Sequence, residues 1–128
     1  VSGLTNRKNL YRKFNSAEKE LASDIMAEFE ISSLKNKLIN EVSGGQLQRA
    51  LIARALISNP ELIILDEPES FLDKNFESKL YDKLSSLKNS TVVIISHELE
   101  EISKYVDSIL VVEKETKFYK NKNDFMKG

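Results

Sequence analysis

Residues 62–68 read Leu62-Ile63-Ile64-Leu65-Asp66-Glu67-Pro68, an unbroken aliphatic run that ends in two adjacent acids and a proline. A short continuous apolar run bounded by turn residues fits a strand buried on both faces, and such strands belong to parallel sheets. Ligands of open α/β sheets sit outside the carboxyl ends of the strands, so Asp66 and Glu67 stand where a site would be built. Adjacent acids on an extended backbone point in different directions. One can hold Mg²⁺, usually through water, while the other takes a proton from a water molecule. Metal-assisted phosphoryl transfer needs both, although the same residues also suit a strand that simply ends in two solvated acids.

Upstream, Asn59-Pro60 stops a helix expected over Gly44–Ser58, whose apolar face is read as Leu47, Leu51, Ile52, Ala55 and Leu56. It opens at Val42-Ser43-Gly44-Gly45-Gln46. Unpaired N–H groups and the positive end of the helix dipole favour an anion there, and glycines let a phosphate approach the backbone. Ser43 can donate its hydroxyl to a phosphate oxygen or merely cap the helix. A further amphipathic helix is expected over Ala17–Phe29 behind an N-cap at Ser16, with Leu21, Ala22, Ile25, Met26 and Phe29 at helical spacing. Residues 1–14 read as a basic loop or linker.

Downstream, Lys74–Leu87 is expected to be helical, with Phe76, Leu80, Leu84 and Leu87 on one face, and Thr91–Ile95 is a second buried strand running into Ser96-His97. A shorter helix over Glu98–Tyr105, a third strand over Ser108–Val112 and a polar tail with an extended patch at Lys117–Tyr119 complete the β–α–β alternation. His97, just past a strand, would emerge at the same sheet edge as Asp66 and Glu67, though a lone histidine is usually structural or solvated.

The 128 residues suffice for one domain with a real core. Lysine and arginine number 19 against 20 acids, a net charge of -1, which gives no polyanion-seeking bias, so no nucleic-acid partner is expected. There is no cysteine, which removes disulfides, thiolate zinc sites and a cysteine nucleophile, and fits a reducing compartment. No apolar run approaches the roughly 20 residues that span a bilayer. Membrane association is therefore expected to go through a partner.

Together, Val42–Leu56, Leu62–Asp73 and His97 resemble the ATP-binding cassette (ABC) ATPases, with the resemblance running from about Glu41 through Val112. It implies an α/β fold, an incomplete P-loop NTPase domain with a mainly parallel sheet flanked by helices. Residues 1–41 would be a remnant of a helical subdomain and 42–128 the C-terminal part of the cassette core. Val42–Gln46 matches the family's signature, with valine where leucine is commoner, so Ser43, Gly44, Gly45 and Gln46 would reach the γ-phosphate on an opposite subunit. Leu62–Glu67 matches the Walker B segment, making Asp66 the Mg²⁺ ligand and Glu67 the general base. Ser70–Asp73 is similar to the loop that crosses the dimer interface, with Asp73 as its acid, although Glu69 and Phe71 stand where smaller residues are usual. His97 matches the switch histidine that senses the γ-phosphate.

The family also uses G-x-x-x-x-G-K-[ST] to hold nucleotide phosphates, and no such stretch occurs here. The chain is thus expected to be part of a longer subunit and inactive alone. The resemblance implies ATP and Mg²⁺ as ligands, and a second ATP-binding subunit and a transmembrane permease as partners. It implies a cytoplasmic location at the inner face of the membrane, with some similarity to importers of metal ions or iron chelates. A soluble non-transporter ABC ATPase and a regulatory module are the competing readings. In related P-loop proteins the missing first strand lies between the counterparts of Thr91–Ile95 and Ser108–Val112. These strands are accordingly expected to close on each other or to leave apolar edges for another copy to cover.

Overall fold

The computed structural model of the chain describes residues 16–127, which fall into two compact units divided after Pro60. The basic stretch at residues 1–14 lies outside the described residues.

In the first unit, α1 (Ser16–Glu28) packs against α2 (Gly44–Ile57). Ile25 and Phe29, four apart and so on one side of the chain, are buried with Ile31, Ile52, Ala53 and Leu56. The first helix stops where Glu30 takes a left-handed backbone, φ 57°. The Ile31 N–H then reaches the Met26 carbonyl at 2.9 Å and the Glu30 N–H the Ala27 carbonyl at 3.1 Å, the paired bonds that satisfy a helix end. Arg49 Nη1 donates to the Phe29 carbonyl at 3.4 Å and to Glu30 Oε2 at 3.3 Å, tying α2 to that end. Leu51, assigned by spacing to the apolar face of α2, is instead exposed, while its neighbours Ile52 and Ala53 are buried. A helix turns about 100° per residue, and α1 covers only one stripe of α2.

In the second unit, β1 (Leu62–Asp66) leads through a 3-10 turn at Pro68–Phe71 into α3 (Lys74–Ser85) and β2 (Thr91–Ile95). These strands pair in parallel, from Leu62 opposite Thr91 to Asp66 opposite Ile95, with α3 as the crossover that parallel pairing demands. Phe76, Leu80, Tyr81 and Leu84 of α3 are buried, and with Ile63, Ile102 and Ile109 they make the core. Then follow α4 (Leu99–Ile102), β3 (Ile109–Val112), β4 (Thr116–Tyr119) and α5 (Lys122–Lys127). No helix among the described residues is long and apolar enough to cross a membrane.

The α/β class and the β–α–β unit are as expected, but three details differ. First, β1 and β2 are covered on one face only: Ile63 is 4% exposed and Ile64 61%. By register, Leu62, Ile64, Val93 and Ile95 form one continuous exposed apolar face. An unbroken aliphatic run records that both faces are apolar; it does not record what lies over each. Second, Ser108–Val112 does not extend the parallel sheet. β3 forms an antiparallel hairpin with β4 across Glu113-Lys114-Glu115, with Val112 opposite Thr116. Direct pairing of β2 with β3 is therefore not realised, and among the described residues no strand lies between them. Third, α5 was not expected. Asn121 caps it, accepting the Asp124 N–H on Oδ1 at 3.0 Å, and Phe125 sets its ring edge-on to Tyr119 at 5.4 Å.

Candidate active site

Asp66 ends β1 exposed to solvent, and the ladder continues one residue further, the Glu67 N–H donating to the Ile95 carbonyl at 2.8 Å. Glu67 then adopts φ 47°, ψ 54°, a left-handed conformation that costs a non-glycine residue about 1 kcal/mol or more. This reversal starts the 3-10 turn, which Pro68 is preset to enter and which the Ser70 N–H closes on the Glu67 carbonyl at 3.2 Å. The result brings Glu67 Oε1 to 2.7 Å from His97 Nε2, just beyond the end of β2. The two residues that sequence reasoning placed at one sheet edge thus meet. The contact is an ion pair by distance, charged only when the imidazole is protonated. His97 is 88% exposed and Glu67 44%, so solvent screens the pair and it adds little to stability.

Asp73 occupies the N-cap of α3, its Oδ1 accepting the Phe76 N–H at 2.9 Å. Ser43 caps α2 reciprocally: its Oγ accepts the Gln46 N–H at 3.1 Å, and Gln46 Oε1 accepts the Ser43 N–H at 3.1 Å. This capping box leaves Gly44 and Gly45 as the first two helical residues, whose N–H groups have no carbonyl four residues back within the helix. Ser43–Gln46 and the Asp66–His97 edge belong to different compact units.

Among the described residues no group of three or more histidines, cysteines or acids could enclose a metal ion. The donor chemistry at the strand end still suits Mg²⁺. Asp66 offers one exposed hard oxygen donor, and Mg²⁺ typically combines one or two carboxylates with waters and substrate phosphates rather than an all-protein cage.

Two partnerships around this edge escaped sequence reading. Ser96 Oγ donates to Glu69 Oε1 at 2.5 Å, and Tyr81 Oη lies 3.4 Å from Glu69 Oε2. Lys74 Nζ donates to Glu98 Oε2 at 2.6 Å and lies 3.1 Å from Glu77 Oε2. The atypical size of Glu69 was the one available signal. Glu77 sits 2% exposed with Oε1 lacking a hydrogen-bond partner. Burial pushes its carboxyl above the usual carboxylate range, against the pull of Lys74, whereas the Lys74 hydrogen bond holds Glu98 below that range. A raised acid binds its proton more tightly folded than unfolded, so its contribution to stability is full at low pH and is lost as pH rises through the folded value; Glu98 behaves oppositely. Glu77→Gln keeps the shape and removes the titration. The variant is expected to be at least as stable as the parent at neutral pH and to lose less stability from about pH 4 to pH 7. Urea midpoints at several pH values check this, and an equal deficit at every pH would contradict it.

Paired acids, a histidine beside one of them and a parallel pair joined by a crossover helix define an α/β protein with titratable side chains gathered at the carboxyl ends of two strands. Residues 1–70 match the sequence profile of the ABC transporter family, and the chain belongs to that family. It is similar to the zinc uptake system ATP-binding protein ZurA of Listeria innocua, 36% identical over 117 residues that cover 89% of this chain and 46% of the relative. It is also similar to the manganese transport system ATP-binding protein MntB of the same organism, 35% identical over 107 residues covering 82% of this chain and 45% of the relative. Among solved structures, the ATP-binding cassette MJ0796, dimeric and bound to ADP and Pi, superposes with a TM-score of 0.69 at 29% identity, covering 84% of this chain and 50% of that one. The chain spans about half the length of the curated relatives it matches.

Proposed function

We propose that this chain supplies the signature-to-switch segment of an ATP-hydrolysing subunit that drives an ABC transporter, with Glu67 as general base and His97 as its orienting partner. The observation that carries this reading is the 2.7 Å contact between Glu67 Oε1 and His97 Nε2 at the carboxyl end of a parallel strand pair. With one oxygen engaged by the imidazole, Glu67 keeps its second oxygen to accept a proton from the attacking water. His97 holds the carboxylate and senses the terminal phosphate. Asp66 would hold Mg²⁺, which when bound neutralises charge on the phosphate oxygens; catalysis then rests on positioning and electrostatics.

Residues 42–128 are read as cassette core and 1–41 as part of the helical subdomain that meets a permease. The wide exposure of His97 supports a partner that completes the site, since phosphoryl transfer profits from excluded water. In this reading the cover is a second cassette presenting Ser43, Gly44, Gly45 and Gln46, with Asp73 near the same seam. The names of the relatives support a metal ion as the transported solute, and a permease partner places the subunit at the cytoplasmic membrane face.

The test is phosphate release with Mg²⁺-ATP. The whole subunit carrying this segment is expected to turn over, and this 128-residue chain alone is not, since its sequence holds no G-x-x-x-x-G-K-[ST] stretch. Silence from the whole subunit would remove the ATPase reading; turnover by the chain alone would show that phosphate is held by residues not named here.

A further inference from the structure

Residues 67–74 grip residues 96–98 one by one. His97 meets Glu67 at 2.7 Å, Ser96 donates to Glu69 at 2.5 Å, and Glu98 accepts from Lys74 at 2.6 Å. These contacts differ in kind. Lys74 is 72% exposed, and a screened surface pair of two flexible side chains holds geometry poorly. The Ser96–Glu69 bond is part-buried and charge-assisted, and hydroxyl-to-carboxylate bonds are roughly twice as strong as neutral ones. Ser96 Oγ also accepts the Glu98 N–H at 3.0 Å, closing a side-chain turn around His97. Tyr81 approaches the other oxygen of Glu69 from α3. Burial, reinforced by the charge of Glu69, raises the Tyr81 phenol, which therefore stays a proton donor.

We propose that Glu69 is a positioning residue for the Glu67–His97 pair: its carboxylate fixes the Ser96 hydroxyl, the hydroxyl fixes the turn through the Glu98 N–H, and the turn sets the imidazole against Glu67. The consequence for turnover rests on the function proposed above; the geometric coupling does not. Glu69 thus links the turn after β1 to the turn after β2, so a displacement of one is felt at the other.

The chain holds a single histidine, so its imidazole ring-proton resonances report His97 without ambiguity. At one fixed pH, Glu67→Gln is expected to move those resonances in the otherwise unaltered chain and to move them far less in a Glu69→Ala background. Glu69→Gln, whose amide oxygen still accepts the Ser96 hydroxyl, should restore the full response, and Lys74→Ala should leave it intact. Ser96→Ala removes the same bond from the other side and serves if Glu69→Ala does not fold. An equal response with and without the Ser96–Glu69 bond, or no response to Glu67→Gln at all, overturns the proposal. In the ATP-hydrolysing subunit, Glu69→Ala should lower kcat about tenfold with KM nearly unchanged. Loss of the resonance coupling without any change in kcat would uphold the positioning role and reject the catalytic role of the pair, so the two failures are distinguishable.

Discussion

Glu67→Gln in the proposed ATP-hydrolysing subunit is expected to lower kcat by about 10²- to 10⁴-fold, the usual contribution of a positioned general base, while nucleotide affinity is retained. The amide keeps the shape of the side chain 2.7 Å from His97 Nε2 and removes its charge and its capacity to take a proton. Steady-state phosphate release beside equilibrium nucleotide binding separates the two effects. Preserved turnover would remove Glu67 from the base role; matched losses of turnover and affinity would make it a binding residue.

Leu80→Ala is the substitution expected to cost the fold most, by about 3 kcal/mol within the usual range for buried leucines. Leu80 is 0% exposed on α3, amid a core that also holds Phe76, Tyr81 and Leu84. The same helix begins with Asp73 as its cap and Lys74 on Glu98, so loosening it should disturb the strand-end turns as well. Urea unfolding of the parent and variant measures the loss. A value well below 1 kcal/mol would show that the site collapses around the smaller side chain, or that α3 is not held as described.

The meeting of Glu67 and His97 at one sheet edge was legible because its signals are local. Asp66 and Glu67 follow directly on an aliphatic run, His97 follows directly on another, and parallel pairing of those runs brings their ends together. Whatever depends on two distant stretches was hidden. Ser96 and Glu69 lie 27 positions apart, and nothing about an isolated serine announces its acceptor. Burial was misread where hydrophobicity was taken for cover, as at Ile64 and Leu51. The β3–β4 hairpin was missed because Lys117–Tyr119 carries a weak apolar signal, and pairing with β4 rather than with the parallel sheet is decided by the short Glu113–Glu115 connection. The cap at Asn121 could have been found, since Asn followed three residues later by an acid is a helix-start pattern. At Ser43 the cap reading is realised in full, and phosphate binding there stays with the proposed dimer.

The left-handed backbone at Glu67 sets endurance against the proposed activity within a single residue. Glycine occupies φ 47° without the steric cost that any Cβ brings, and asparagine tolerates it better than glutamate. A library of variants sorted by heat resistance alone would therefore drift toward glycine or asparagine at this position. Each winner would have discarded the carboxylate that faces His97. Breeding a hardier version of this protein means holding residue 67 constant and seeking the gain elsewhere.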